Sequence, residues 1–462
     1  MCMNVRRINP RTWNSADEDK QILRMMIPVV VELILAYIIA NINQIVLNKF
    51  SDTAVAATTA VSMFVSLMLN VYSIFYVGQS IFLAPCWGRK SYQEGSRFWS
   101  VSIMDNMVLG VLIGVLGIFG SSFVMTLLKV PGELRQIAGG YLHVVLGLSI
   151  FQGIALTCTT AFRAIGRMKV AMAGNTLING VCIVLNILIL TLVPRQKQCI
   201  EQYAFAGVFS QLLGMSYYLW MAHRDPDITL HFLEPGWKKY FHHFSEKLFK
   251  MGLPGGMEGI VYLICQTIVM SMIGNLGTTA LMAKGYTGNL TNYLAMPSTA
   301  VSVVAATAIG MSIGIGDEKK AQRCFFKCIG IALGATVVFD GIALVAGRSF
   351  MRLFTRDEAL LELCMQLIFV DMVTELFRCV AAVLVVALKA IGNVRTPFTM
   401  VIAGSLINIA VSWLFGIGFN MGVVGICIGY GADLLYRSIV GMFVWKRHVT
   451  THNYPVLGKS GI

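Results

Sequence analysis

The most regular feature of the sequence is the alternation of long apolar runs with short polar breaks. A membrane-spanning helix needs ~20 mostly apolar residues, and twelve runs approach or exceed that length. The predicted spans lie near residues 22–47, 54–84, 98–128, 137–162, 169–193, 203–222, 249–274, 278–312, 325–347, 360–388, 397–419 and 423–445. The pattern therefore predicts an all-α integral membrane protein with twelve transmembrane helices.

The sequence also contains an internal repeat, each copy of which covers nearly half of the chain. The segment PVVVE at 28–32 recurs as PGGME at 254–258, and RAIG at 163–166 recurs as KAIG at 389–392. Each copy holds six spans, an even number, so both copies enter the membrane from the same side. We therefore expect two six-helix bundles related by a pseudo-two-fold axis along the membrane normal, as in secondary transporters with parallel repeats. A duplicated channel is the alternative.

These patterns predict five segments along the chain. We expect a cytoplasmic N-terminal segment at 1–21, a six-helix bundle at 22–222, a cytoplasmic linker at 223–247, a second bundle at 248–447 and a cytoplasmic tail at 448–462. The first apolar run has no small-residue cleavage site, so we expect it to remain as a span rather than to be removed as a signal peptide.

Composition and charge support the membrane assignment and orient the chain. Hydrophobic residues make up 56% and charged residues 13%, with a mean hydropathy of +0.71, whereas soluble domains are about 25% charged. The net charge of +13 would suit nucleic-acid binding, but 26 of the 36 Lys and Arg residues fall on one side of the predicted spans and 9 on the other. This positive-inside bias predicts cytoplasmic termini in a cell (plasma) membrane protein and no nucleic-acid partner.

Two glutamates occupy equivalent places in the two copies, Glu32 in the first span and Glu258 in the seventh. An ionised carboxylate in the middle of a span costs about 2.5–3.5 kcal/mol on insertion scales, so each needs a partner, a wet cavity or a function. Two interpretations stay open. The glutamates attract a cationic substrate or carry a coupling ion, or they bond the backbone carbonyls left unpaired by the prolines four residues earlier.

Polar residues on the same helices are candidate substrate ligands. Asn43 follows Glu32 by eleven residues, so both lie on nearly the same helix face. Tyr262 and Gln266 lie one and two turns after Glu258. We expect these three side chains to face the substrate.

The tenth span carries a second charged cluster, Asp371, Glu375 and Arg378, at i, i+4 and i+7 on one helix face. Either Glu375 and Arg378 form an internal salt bridge, or the three residues form a proton or sodium relay in which Asp371 remains ionisable. The corresponding positions of the first copy carry no charge. This asymmetry favours a special function for the second bundle, with Arg378 as a further substrate ligand.

The other charges in predicted spans are harder to interpret. Asp433 and Arg437 are four residues apart and should pair with each other. Asp340 has no charged neighbour in the ninth span and fits either a structural or a functional role, and Lys284 lies near one end of the eighth span.

Taken together, the repeat segments resemble those of the multidrug and toxic compound extrusion (MATE) family. The run IPVVVELILAYIIANINQIVLNKFSDTAVAA resembles the opening span of that family, KMGLPGGMEGIVYLICQTIVMSMIGNLGTTALMA its second-half counterpart, and LKAIGNVRTPFTM the loop after span ten. The resemblance implies two six-helix bundles and antiport without ATP hydrolysis. It also links acidic residues of spans seven and ten, here Glu258 and Asp371, to cation binding. At Asn43 the family often has aspartate, so this sequence lacks a titratable group there.

The sequence therefore predicts a secondary active antiporter, not an enzyme. It would export amphiphilic, cationic drugs or metabolites in exchange for H⁺ or Na⁺ by alternating access. Glu258, Asp371, Glu375 and Glu32 are the cation-coupling candidates. A lipid-linked saccharide flippase of the same wider superfamily is the alternative. We expect no cofactor beyond the coupling ion, contact with membrane lipid, and a monomer.

Overall fold

The computed structural model describes residues 15–50, 52–127, 131–194, 199–232, 237–352 and 354–451, and within these ranges the chain forms helices and no strand. The helices are α1 (Ser15–Phe50), α2 (Asp52–Val71), α3 (Ser73–Gly88), α4 (Tyr92–Phe119), α5 (Ser121–Leu127), α6 (Gly132–Gly147), α7 (Ile150–Ala164), α8 (Met168–Leu192), α9 (Ile200–Arg224), α10 (Trp237–Asn275), α11 (Thr278–Leu294), α12 (Met296–Ile315), α13 (Glu318–Met351), α14 (Glu358–Ala390), α15 (Arg395–Trp413) and α16 (Gly422–Thr451). A π-helical turn, Leu414–Gly418, extends α15. Most of the predicted N-terminal segment and tail lies outside the described residues.

All twelve predicted spans fall on helices. Among the described residues, nine segments are long and apolar enough to cross a membrane, and α6 with α7, bent by 48°, forms a tenth. The other two predicted spans correspond to α9 and α14. Charged residues, including the Asp371, Glu375 and Arg378 cluster, interrupt the apolar run of α14. The helices satisfy the backbone hydrogen bonds within each segment, as the bilayer requires.

The sequence repeat is visible in the helix boundaries. Helix α2 begins at Asp52 and α11 begins at Thr278, the same offset as that between Glu32 and Glu258. In both copies the second span is broken after this helix, between α2 and α3 and between α11 and α12. The two halves therefore repeat a local geometry as well as a sequence.

By packing, the chain divides into two compact units. The first, here the N-terminal unit, is Val31–Gly256, and the second, the C-terminal unit, is Met257–Ile462 together with Met1–Val30. The boundaries fall inside α1 and α10, and they are as many residues apart as the equivalent glutamates, Glu32 and Glu258. Each of these two long helices therefore contributes its first part to one unit and its remainder to the other.

Small residues allow close helix packing within the N-terminal unit. Gly252 and Gly256 of α10 pack on Ile74 of α3, where a side chain on either glycine would collide with backbone atoms. Glycines four residues apart commonly let transmembrane helices approach closely. Aromatic rings extend the same contact, since Phe98 of α4 lies 4.5 Å from Phe244 of α10 between ring centroids.

In the C-terminal unit, α14 lies at the centre and packs on α11, α12, α13 and α16. Leu361, Leu367 and Ile368 of α14 are buried with Ala283 of α11 and Ile426 of α16. This central position of α14 brings its charged cluster next to side chains from several helices.

Candidate functional site

Glu32 is held by two side chains of the N-terminal unit, one of which is bonded in turn by a third. Its residue surface is 5% exposed, and its Oε1 atom forms an ion pair with Arg163, in the last turn of α7. The same oxygen accepts a hydrogen bond from Asn175 Nδ2 at 2.5 Å, and Asn175 Oδ1 accepts one from the Tyr218 hydroxyl at 2.9 Å. Helix α1 continues through Pro28, and Glu32 bonds side chains of α7 and α8, contacts that neither interpretation of the sequence had predicted.

Glu258 repeats this arrangement in the C-terminal unit. Lys389 Nζ, in the last turn of α14, donates to Glu258 Oε2 at 2.6 Å. Each basic residue follows its glutamate by 131 positions in the sequence. Sequence reasoning missed Arg163 and Lys389 as site residues, although their recurrence in the RAIG and KAIG segments was the signal that could have identified them.

The two copies differ in what lies beyond the ion pair. The LIN segment that follows Asn175 recurs after Gly404, so Gly404 is the counterpart of Asn175 in the C-terminal unit. A side chain there would collide with the Asp433 carboxylate and meet Arg437 Nε at 2.9 Å. Arg437 donates to both carboxylate oxygens of Asp433 at 2.5 Å, so the predicted Asp433–Arg437 pair is confirmed.

Asp371 has partners on α11. The residue is 3% exposed, and its Oδ2 atom accepts a hydrogen bond from Thr291 Oγ1 at 2.6 Å. Lys284 Nζ lies 3.5 Å from the other oxygen, Oδ1. Asp371 therefore faces Lys284, which lies two turns before Thr291 on α11. In the sequence, Lys284 was only an isolated charge near one end of a predicted span.

Glu375 and Arg378 form the internal salt bridge that was the first of the two interpretations. Arg378 Nε donates to Glu375 Oε2 at 2.8 Å, while Arg378 Nη2 is buried and has no hydrogen-bond partner among the described residues. Tyr262 of α10 interacts electrostatically with Arg378 and is 37% exposed. Gln266, one turn further along α10, is half-buried.

Asn43 pairs with a second asparagine in the N-terminal unit. Asn186 Nδ2 of α8 donates to Asn43 Oδ1 at 3.2 Å. The Glu32–Asn175 and Asn43–Asn186 bonds both join positions 143 residues apart. Helices α1 and α8 therefore run in the same direction, and their polar contacts repeat about three turns apart.

Every predicted coupling carboxylate thus has a basic partner: Glu32 has Arg163, Glu258 has Lys389, Asp371 has Lys284 and Glu375 has Arg378. Pairing makes each buried charge tolerable in an apolar surrounding. An incoming cation must displace the basic side chain from such a carboxylate, and a proton must neutralise the carboxylate and release that side chain.

Comparisons with known proteins identify the family. The sequence profile of MatE matches residues 28–191 and 254–414, one stretch in each copy of the repeat. YisQ of Bacillus subtilis (strain 168), described as an uncharacterized transporter, is 24% identical over 439 residues, covering 94% of this chain and 95% of the relative. The multidrug export protein MepA of Staphylococcus aureus (strain NCTC 8325 / PS 47) is 21% identical over 407 residues, covering 87% of this chain and 88% of MepA.

Solved structures show the same fold. The outward-facing conformation of a multidrug resistance MATE family transporter of the MOP superfamily superposes with a TM-score of 0.84 at 16% identity, covering 94% of this chain and 96% of that one. A crystal structure of MATE in the straight conformation gives a TM-score of 0.83, also at 16% identity, with coverage of 94% and 96%. These relatives are transporters and not enzymes, and they do not favour the flippase alternative. With both halves of its repeat matched by the family profile, this chain belongs to the MatE family of multi-pass membrane transporters.

Proposed function

We propose that this transporter exports amphiphilic, cationic organic compounds from the cytoplasm in exchange for protons, by alternating access. The observation that carries the proposal is the environment of Asp371, a buried carboxylate that is held by the Lys284 ammonium and the Thr291 hydroxyl. The export activity named for the relative MepA supports the direction of transport and the substrate class.

The partners of Asp371 favour a proton over sodium as the coupling ion. Hard cations are held in proteins by several oxygen ligands. In the part of the chain that the structure describes, Thr291 supplies one hydroxyl to Asp371, and Lys284 occupies the other side of the carboxylate. A sodium ion would have to displace that ammonium, whereas a proton can bind the carboxylate directly.

Protonation would change the local geometry. Unit charges about 4 Å apart attract by about 4 kcal/mol at an effective dielectric constant of 20. A proton on Asp371 removes this attraction and frees Lys284 from α14. Loss of this ion pair between α11 and α14 gives the two-state element that alternating access requires.

Substrate contacts are assigned to the exposed and half-buried polar residues near these carboxylates. Tyr262 is exposed next to Arg378, Gln266 is half-buried one turn on, and Asn43 is half-buried in the N-terminal unit. Within the C-terminal unit, the aromatic ring of Tyr262 suits contact with a flat, amphiphilic cation. We propose Glu258, Asp371, Glu375 and Glu32 as coupling residues.

Localisation and assembly follow from the charge distribution. We propose a plasma-membrane protein with cytoplasmic N and C termini, since most basic residues lie on the predicted inner side. Large apolar side chains such as Val345 and Phe119 are highly exposed, which suits contact with lipid. A monomer that needs no cofactor apart from the coupling ion completes the proposal.

Transport into proteoliposomes tests the coupling directly. The purified protein is reconstituted, and uptake of a fluorescent cationic dye is measured under separately imposed proton and sodium gradients. We expect the proton gradient to drive dye transport and Asp371→Asn to abolish it. Glu362→Gln is the matched control, because Glu362 is an exposed carboxylate on the same helix. Transport driven by sodium alone, or unchanged transport by Asp371→Asn, would contradict the proposal.

A further inference from the structure

Among the described residues of the C-terminal unit, one buried carboxylate has no basic partner. Asp340 of α13 is 7% exposed, and its Oδ1 atom, shielded from solvent, accepts no hydrogen bond from any residue that the structure describes. Among the described residues, no Lys, Arg or His lies within ion-pair distance of Asp340, in contrast to the four coupling candidates and to Asp433, all of which have basic partners.

In the part of the chain that the structure describes, the positive charges nearest Asp340 are paired with other carboxylates. From α14, Glu375 interacts with Asp340 electrostatically, but its own partner is Arg378. Helix α12 packs along α13 and carries no titratable residue between 296 and 315. Helix α11, which also contacts α13, contributes Lys284, whose ammonium is paired with Asp371, and the tyrosines at 286 and 293. One turn before Asp340, the buried Thr336 hydroxyl lies next to the Cys379 thiol of α14, which carries no positive charge.

Counting the charges shows that one carboxylate is in excess. Asp340, Asp371 and Glu375 are three acids, and Lys284 and Arg378 are the two bases that interact with them. Lys284 neutralises Asp371 and Arg378 neutralises Glu375. An unpaired carboxylate in a span costs about 2.5–3.5 kcal/mol, and the nearby Glu375 anion adds repulsion. The excess group is therefore most stable with a proton bound.

We infer that Asp340 is a proton-binding site of the transport cycle, distinct from the ion-paired carboxylates. The proton arrives from water, forms an O–H bond at Asp340 and leaves to water on the other side, with no oxidation or reduction. The anion left after proton release raises the negative charge next to Glu375 and Arg378, the pair on α14. In this way, the binding or release of a proton at Asp340 acts on α14, the helix that carries Asp371, Glu375 and Arg378. This inference rests on the proposed proton antiport.

Proton counting in proteoliposomes tests the inference. Proton movement is followed with a pH-sensitive dye in the lumen, and cationic-dye flux is followed in parallel for the wild type, Asp340→Asn and Asp340→Glu. We expect Asp340→Asn to lose dye-coupled proton movement to the level of empty liposomes, while Asp340→Glu, which keeps a carboxyl group, retains it. Glu362→Gln, on an exposed face of α14, should behave as the wild type.

Exchange of dye for dye across the membrane, without any gradient, separates folding from proton binding. We expect Asp340→Asn to catalyse this exchange, which needs a folded transporter but no net proton transfer. Loss of exchange by Asp340→Asn together with loss of coupling by Asp340→Glu would assign the residue to folding and overturn the inference. Proton movement by Asp340→Asn equal to that of the wild type would overturn it while leaving the proposed function intact. An absence of proton movement in the wild type would contradict the proposed function itself.

Discussion

Replacing Lys389 with methionine would leave the Glu258 carboxyl without the ammonium group that donates to it at 2.6 Å. Both side chains are mostly buried, with 15% of Lys389 and 11% of Glu258 exposed, so water screens the pair weakly. Removing one partner of a buried ion pair costs about 3–5 kcal/mol when the other charge remains. Because Glu258 can take up a proton instead, we expect the free energy of unfolding to fall by about 3 kcal/mol, at the low end of that range.

The measurement is unfolding of the purified variants in mixed micelles by titration with sodium dodecyl sulfate, followed by circular dichroism. Glu358→Gln is the control, because Glu358 pairs with Arg348 at 3.1 Å on an exposed surface, with side chains 65% and 53% exposed. Exposed pairs contribute about 0.2–1 kcal/mol. The double variant Lys389→Met with Glu258→Gln should lose less stability than the sum of the losses of the two single variants. In the double variant both charges are removed, so neither remains buried without its partner.

A loss for Lys389→Met no greater than that for Glu358→Gln would refute the reasoning that a buried pair joins α10 to α14. Strictly additive single and double variants would refute it as well. In the same preparations, dye transport distinguishes a coupling function of Glu258 from a structural one. If the double variant is stable but transports nothing, Glu258 acts in coupling as well as in folding.

Two further outcomes follow from the other polar contacts. We expect Asn43→Asp to remain folded, because a carboxylate can still accept the hydrogen bond that Asn186 donates at 3.2 Å, and to change the dependence of transport on pH. Loss of the folded protein on size-exclusion chromatography would show instead that the Asn43 position is closely packed. We expect Lys284→Gln to expose Asp371 to external cations, so that sodium competes with protons for it. Dye transport that stays insensitive to sodium in this variant would contradict that expectation.

Much of the fold could be predicted from the sequence because its determinants are local. A span is a run of apolar residues whose backbone bonds close within the segment, so hydropathy alone located all twelve. The repeat predicted that α11 would copy α2, and the helix boundaries confirm it. Glu375 with Arg378 and Asp433 with Arg437 were also predictable, since each pair lies within about one turn of a single helix.

The remaining contacts of the site could not be predicted, because each joins distant parts of the chain. Asp371 of α14 meets Lys284 of α11, and Glu32 of α1 meets Asn175 of α8. Periodicity gives the face of a helix on which a residue lies, but not the neighbouring helix that this face contacts. The boundaries of the packing units, inside α1 and α10, are likewise set by contacts and not by any polar break in the sequence.

The sequence by itself determined the membrane class, the spans, the duplication and the positions of Glu32, Glu258, Asp371 and Asp340 within spans, because these depend on apolar length and periodicity along one helix. Only the tertiary structure decided which of these carboxylates have a basic partner. Arg163, Lys389 and Lys284 reach their partners from other helices, and among the described residues Asp340 is left without one. Pairing of buried charges depends on how helices pack in three dimensions, and that packing is the sum of many contacts that no short segment contains.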